Sequence, residues 1–296
     1  MSRSVVLALV FACAALAQDD PIRDLAGRFQ GKVSIYAKNL NSGAVYDLNG
    51  SNRVNTASTI KLPILIGVYT AVAEGRAKWT DTSELTAARK VGGSGVLQEM
   101  SDGTKIPLRD LVRYMMLLSD NTATNLVLDH VPGNDVNATL QKLGIKDTRS
   151  LRKILKGSNP EGVSDAGRDS ANAKFGIGVA TPRDMVTLLE KLYKGELVTK
   201  DASAEMLSIM KKQIWRDGMP RYFDGIEVAD KNGALDHLRS DVGIVYAKTG
   251  PVAIAITCDE MPKPDWSPDN PGSLFIAHVS KRLVERLAAP PREPVH

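Results

Sequence analysis

The 296-residue chain is poor in the residues that usually announce a mechanism: it has two cysteines, four histidines and only 5% aromatics. Cys13 falls in the N-terminal apolar run, so a processed chain keeps Cys258 alone and has no internal disulfide. Such a chain holds together by its core, which roughly 280 residues suffice to build. Neither H-E-x-x-H nor C-x-x-C occurs, which leaves no metal signature. No G-x-G-x-x-G or Walker sequence occurs, and no cofactor is expected. The 38 basic and 34 acidic residues nearly balance, and no basic run is interleaved with aromatics, so nucleic acid is not an expected partner. Past the N-terminus no stretch is long and apolar enough to span a bilayer. No stable membrane anchor is expected, and the expected state is a monomer.

What is present begins with Arg3, the apolar run Val5 to Leu16 and the close Ala15-Leu16-Ala17. A basic start, a short apolar run and an A-x-A end describe a secretory signal peptide, residues 1–17, cut after Ala17. The expected location is periplasmic or secreted. Cys13 after Val10-Phe11-Ala12 leaves lipidation as an alternative, although Phe11 is bulky for a lipobox.

Residues Pro21 to Phe29 carry apolar side chains at helical spacing, and Lys32 to Ala37 alternate like a strand. After the turn Asn41-Ser42-Gly43, Ala44 to Leu48 returns as a second strand. Helical periodicity then covers Thr59–Glu74, Leu108–Leu118, Asn121–Val131 and Pro182–Tyr193. Between Lys156 and Gly178 no period is visible, and a loop of that length is usually functional. Strands return at 226–229, 242–246 and 252–257, followed by a helix face at Phe275, Val279, Leu283 and Leu287. The order implies an α+β fold: an antiparallel sheet of about five strands from both chain ends, flanked by helices, with an all-helical domain inserted. The expected boundaries are 18–60 plus 218–296 for the sheet domain and 61–217 for the helical one.

A serine hydroxyl needs a neighbouring base to become a nucleophile. No G-x-S-x-G elbow surrounds any serine. Lysine replaces histidine when it is desolvated and near another cation, because both favour the neutral amine. Ser58-x-x-Lys61 supplies the spacing, since residues three apart share a helix face. Ser150-x-x-Lys153 and Ser208-x-x-Lys211 match as well, but only Ser58 follows a strand-and-turn region and opens an apolar helix. Downstream, Ser119-Asp120-Asn121 joins two helical segments; alone, it reads as a helix cap. Asp230-Lys231-Asn232-Gly233 ends a strand; alone, it reads as a polar hairpin turn.

Together S-x-x-K, S-D-N and K-x-G form the ordered set of class A β-lactamases and penicillin-binding proteins. The chain resembles that family further in Gly92–Gln98, Met116–Asn125 and Thr181-Pro182-Arg183-Asp184-Met185. A second candidate, Lys248-Thr249-Gly250, lies between two strands with Pro251 behind it and reads as a turn. The resemblance implies Ser58 as the acylated nucleophile, Lys61 as its proton acceptor and Ser119 as the relay to the leaving nitrogen. It implies that Asn121 binds the substrate amide and that Lys231 and Asn232 face the substrate carboxylate, with Arg239 as a further contact. The backbone N–H groups of Ser58 and Ala234 would form the oxyanion hole, whose loss costs about 10²–10³ in rate.

One part of that pattern is missing. The family carries a glutamate soon after a Thr-Arg pair, which activates the deacylating water. Counting from Thr148-Arg149 puts Ile154 there, and Glu161, Asp165 and Asp169 lie further along. The leading expectation is a hydrolase that opens β-lactams, with deacylation slowed by that loss. A D-alanyl-D-alanine peptidase is the enzymatic alternative, and a non-turnover β-lactam or peptidoglycan sensor the non-enzymatic one. The expected partner is a small β-lactam or a D-Ala-D-Ala-like substrate.

Overall fold

The structure, a computed structural model, describes residues 20–154 and 162–288. The signal-peptide reading, Cys13, Glu161 and the proline-rich tail lie outside these residues.

The chain starts with α1 (Pro21–Arg28), whose first N–H groups are accepted by Asp20 and whose first position is a proline, an arrangement that suits a helix start. Strands β1 (Lys32–Asn39) and β2 (Val45–Leu48) follow. After the helical region come β3 (Val228–Leu235), β4 (Leu238–Ala247) and β5 (Gly250–Asp259). They form one antiparallel sheet in the order β2-β1-β5-β4-β3, so strands from both chain ends meet where β1 pairs with β5. The β4–β5 turn holds Lys248 and Thr249, and Gly250 there has φ +118°, a region that favours glycine.

Both faces of the sheet are covered, which explains why β5 is buried from Gly250 through Cys258 instead of alternating. Val252, Ile254, Ile256 and Cys258 pack with Phe275, Ile276, Val279 and Leu283 of the final helix. The small Ala253 and Ala255 face the helical region. The free Cys258 is buried in this core.

The helical region is built around α2 (Lys61–Ala73), which is buried on nearly every side, as a central helix must be. Around it lie α3 (Leu108–Leu117), α4 (Asn121–His130), α5 (Gly133–Lys142), α6 (Pro182–Tyr193) and α7 (Lys200–Met210), and α8 (Pro271–Ala288) closes the chain. At Gly67 a Cβ would lie 3.0 Å from Val136 Cγ2, so glycine lets α2 and α5 approach closely.

Three expectations need correction. The strand expected at 226–229 runs on to Leu235, so Asp230-Lys231-Asn232-Gly233 lies inside β3 and not in a turn. Its polar residues are tolerated because β3 is an edge strand whose outward groups find side-chain partners. The helix expected from Thr59 begins instead as a 3-10 turn, Ala57–Ile60, before α2. The stretch expected to be irregular contains, in its described part, a one-turn helix Asp165–Arg168, a 3-10 segment Ser170–Phe175 and a short strand Gly178–Ala180. That strand pairs with 54–55 and 149–150, tying the loop to the approach of α2. Among the described residues no helix is long and apolar enough to cross a membrane.

Asp120 fastens this framework at α4. Its buried carboxylate accepts the N–H groups of Ala123 (2.8 Å), Val96 (2.7 Å) and Leu97 (2.9 Å), joining the helix start to the 92–97 loop. Removing the acceptor strands three donors, and each buried loss costs about 1–3 kcal/mol. Asp120→Ala is expected to lower unfolding stability by about 3 kcal/mol or more in urea denaturation. A variant as stable as the parent would show that the loop does not depend on this carboxylate.

Candidate active site

Ser58 and Lys61 are brought together by the 3-10 turn. The Lys61 N–H donates to Ser58 O across the turn, and with three residues per turn positions i and i+3 share a face, while the bonds of the Lys61 amine go to Ser119 and Asn121. The turn is reached through Ala57 at φ +44°, an uncommon conformation for a residue with a Cβ. Asn55 Oδ1 accepts the Ala57 N–H at 3.0 Å, and Thr59 Oγ1 donates to Thr56 O at 2.8 Å. At the start of this turn the Ser58 N–H has no acceptor within the helix.

The Lys61 side chain runs inward with no exposure to solvent. Its Nζ lies 2.7 Å from Ser119 O, 3.1 Å from Ser119 Oγ and 3.2 Å from Asn121 Oδ1. All three oxygens accept from the Lys61 amine. Burial first, then the charge of Lys231, holds the Lys61 amine well below the ordinary lysine range, against an opposing pull from Asp120. Ser119 is itself held at φ +54°. Asn121 is fixed on three sides: its N–H donates to Ser94 O, its Nδ2 to Gly92 O, and its Oδ1 accepts from Lys61. One Nδ2 hydrogen remains for a ligand. A Cβ at Gly93 would sit 2.7 Å from that Nδ2, so the loop comes this close only as glycine.

The opposite wall is the free edge of β3. A Cβ at Gly233 would lie 2.8 Å from Thr56 O and 3.0 Å from Ser58 N, so the edge packs directly on the 3-10 turn. The Asn232 N–H points out of the sheet, to Gln213 Oε1 at 3.2 Å. Strand alternation turns the Ala234 N–H to the same free edge, beside Ser58 N. Lys231, also without solvent exposure, donates to Asn232 O at 2.7 Å, Asn232 Oδ1 at 3.0 Å and Gln213 Oε1 at 3.3 Å. Burial pulls its amine down to about 8, while Asp230 and Asp241 pull the other way.

Arg239 is placed differently from the other basic residues. It donates to Leu235 O at 2.6 Å and Leu238 O at 2.7 Å, bonds Asp265 O and stacks on Trp266. These bonds brace the β3–β4 hairpin, and none of them joins Lys231 or Asn232. Gln213, the residue that does, carries no signal in the sequence.

The competing serine-lysine pairs fall away. Ser150 is in a short strand and Lys153 bonds Asp129. Ser208 is exposed on α7, and Lys211 pairs with Glu227. A cavity of about 660 Å³ lined by Arg23, Arg53, Lys174 and Asp259 includes none of Ser58, Lys61, Ser119 or Lys231.

Ile154 is held by its backbone. Its N–H donates to Asn125 Oδ1 and its carbonyl accepts from Asn125 Nδ2, both at 2.8 Å. Asn125 lies one helical turn beyond Asn121 on α4, so the main chain at Ile154 is tied to the helix that carries Asn121. Asp165 is exposed and bonded to Asn134 and Arg168, while Asp169 caps the 3-10 segment through the Ala171 N–H. Both carboxylates are occupied elsewhere. Among the described residues no group of His, Cys, Asp or Glu could hold a metal ion.

A family model described as the β-lactamase enzyme family matches residues 18–287. The chain belongs to that family. The β-lactamase of Sphaerobacter thermophilus DSM 20745 is 30% identical, with a TM-score of 0.77 over 91% of this chain and 97% of that one. A variant of PBP-A captured as an acyl-enzyme complex with penicillin G is 28% identical, with a TM-score of 0.74 over 90% and 93%. The D-alanyl-D-alanine carboxypeptidase DacF of Bacillus subtilis (strain 168) is 24% identical over 66% of this chain and 47% of its own length. The structural likeness agrees with the α+β architecture and its five-stranded antiparallel sheet.

The two buried amines differ in a measurable way. In a ¹³C-lysine NMR titration, the Lys61 Cε resonance is expected to shift well below the range of the exposed lysines. In Lys231→Met it should move upward, because a repelling charge is gone. Titration of Lys61 together with the surface lysines would refute the desolvation argument.

Proposed function

We propose that this family member is a serine hydrolase that opens β-lactam rings through an acyl-enzyme on Ser58 and releases the product slowly. The observation that carries this reading is the sealed contact of the Lys61 amine with Ser119 and Asn121, one turn below Ser58. In the proposed acylation, Lys61 Nζ takes the Ser58 hydroxyl proton as Ser58 Oγ bonds to the lactam carbonyl carbon. The carbonyl oxygen becomes an oxyanion and accepts from the N–H groups of Ser58 and Ala234, a preorganised contribution of about 10²–10³ in rate. Ser119 Oγ–H then protonates the leaving nitrogen as the C–N bond breaks, and Ser119 recovers its proton from Lys61. Asn121 receives the substrate amide through its remaining Nδ2 hydrogen. Lys231 and Asn232 face the carboxylate.

Hydrolysis of the ester needs a water that loses its proton. At the place nearest the site the backbone is pinned by Asn125, but the side chain is the aliphatic Ile154. A general base contributes about 10²–10⁴ in rate, so its absence makes deacylation the slow step. The PBP-A acyl-enzyme supports covalent capture of penicillin G in a related scaffold. The match to DacF favours a second reading, a D-alanyl-D-alanine peptidase acting through the same Ser58.

Intact-mass spectrometry over time tests this. With penicillin G, the wild type is expected to gain one ligand mass within the first turnover and keep it, and Ser58→Ala to gain none. Ile154→Glu, installed on the same pinned backbone, should shorten the adduct's life by about tenfold or more, in the range of a recovered base. Undiminished labelling of Ser58→Ala would sink the assignment, and rapid wild-type turnover with no detectable adduct would sink the slow step. Faster release of D-alanine from a D-Ala-D-Ala peptide than opening of penicillin would favour the second reading.

A further inference from the structure

Behind the carboxylate end lies a buried network that the acylation scheme does not use. Asp230 and Asp241 project from the same face of neighbouring strands, and each is at most 3% exposed. Their carboxyls are close enough for each to act on the other's charge. Met219 N–H donates to Asp241 Oδ2 at 2.9 Å, while Asp241 Oδ1 has no donor unless Asp230 carries a proton. Burial, then the charge of Asp241, raises the Asp230 carboxyl well above the carboxylate range.

Gln213 connects this pair to the cleft. Its Nε2 donates to Asp230 Oδ2, and its Oε1 accepts from Lys231 Nζ at 3.3 Å and Asn232 N–H at 3.2 Å. The amide has a single workable orientation, because Lys231 and Asn232 N present only donors while Asp230 Oδ2 requires one. The backbone around it is anchored: Gln213 N–H donates to Met210 O at the end of α7, and Ile214 N–H to Leu117 O at the end of α3. The buried amide therefore steers the Lys231 amine to the Asn232 side of the cleft. It also occupies the outward N–H of Asn232, so the free edge of β3 open to an extended substrate begins at Ala234.

We propose that Gln213 is a positioning residue for recognition of the substrate carboxylate, holding Lys231 and the β3 edge in register for the anion. This rests on the reading of Ser58 as the acylated nucleophile. It is tested by the ratio of acylation rate constants for penicillin G and its methyl ester, measured by intact mass on the same protein sample. The ratio is independent of the folded fraction, so a poorly folding variant still reports. In Gln213→Met, which keeps chain length but offers neither donor nor acceptor, the preference for the free acid is expected to fall about 10- to 100-fold, the size of a hydrogen bond to a charged group. The ester rate should change little. In Gln213→Glu the added negative charge competes for Lys231, and the preference should fall as well. Equal losses for acid and ester in both variants, or an unchanged ratio, would overturn the assignment while leaving the acylation mechanism intact. A wild type acylated by neither compound would overturn the proposed function and this assignment with it.

Discussion

The structure turns on one costly interaction, a lysine amine sealed from water at the foot of α2. A buried ammonium without a counterion is among the most expensive groups a protein can hold, and the ordinary outcome is loss of the proton. No carboxylate bonds Lys61. Its partners are two carbonyl oxygens and a hydroxyl. The local distortions serve that burial. Ala57 and Ser119 both adopt positive φ, and they are the residues that carry the chain into the two segments meeting at the amine. Each such conformation costs on the order of 1–3 kcal/mol and persists only where the surroundings over-determine it. Here the surroundings are Asp120 with its three N–H donors, Asn55 at the Ala57 N–H and Gly233 pressed against Thr56 and Ser58.

The second buried lysine shows what a counterion changes. Lys231 is as fully enclosed as Lys61, yet it lies beside Asp230 and Asp241, whose charge opposes the effect of burial. One fold thus holds two buried lysines in different settings. In the proposed mechanism, the amine to which no carboxylate bonds takes a proton, and the one beside the acid pair meets an anion. Their repulsion couples them, because the charge of Lys231 lowers the Lys61 amine further. Separation of two like groups by their environments is a recurrent way to divide acid–base roles within one site.

Residue order in the chain showed much of this, and for physical reasons. The sheet was legible because alternation and apolar runs survive in β1, β4 and β5, and Ser58-x-x-Lys61 because its spacing is local. The 3-10 start of α2 was not legible, since this turn packs against Gly233, more than 170 positions away. β3 was cut short because Lys231 and Asn232 look like a turn until Gln213 supplies their partner. Gln213 itself follows the last turn of α7 as an ordinary polar residue, and only tertiary structure makes it a bridge. Arg239 is read from the sequence as a contact for an anion, and the bonds of its guanidinium to Leu235 O and Leu238 O come from the short hairpin between them.

The loop around Ile154 separates what the fold requires from what the chemistry requires. Asn125 binds the main chain of residue 154 through both its amide groups, a contact indifferent to the side chain. The loop is also tied by the pairing of Arg152 with Val163 and of Ser150 with Gly178. These bonds fix the main chain of the loop whatever the side chain. An isoleucine there keeps the pinned geometry and adds apolar surface but no group that accepts a proton. In the proposed mechanism, acylation and deacylation therefore depend on different parts of the molecule. The first would rest on groups interlocked through the buried Lys61. The second would rest on one side chain carried by an independently anchored loop, where a single substitution is expected to alter the lifetime of the covalent adduct and not its formation.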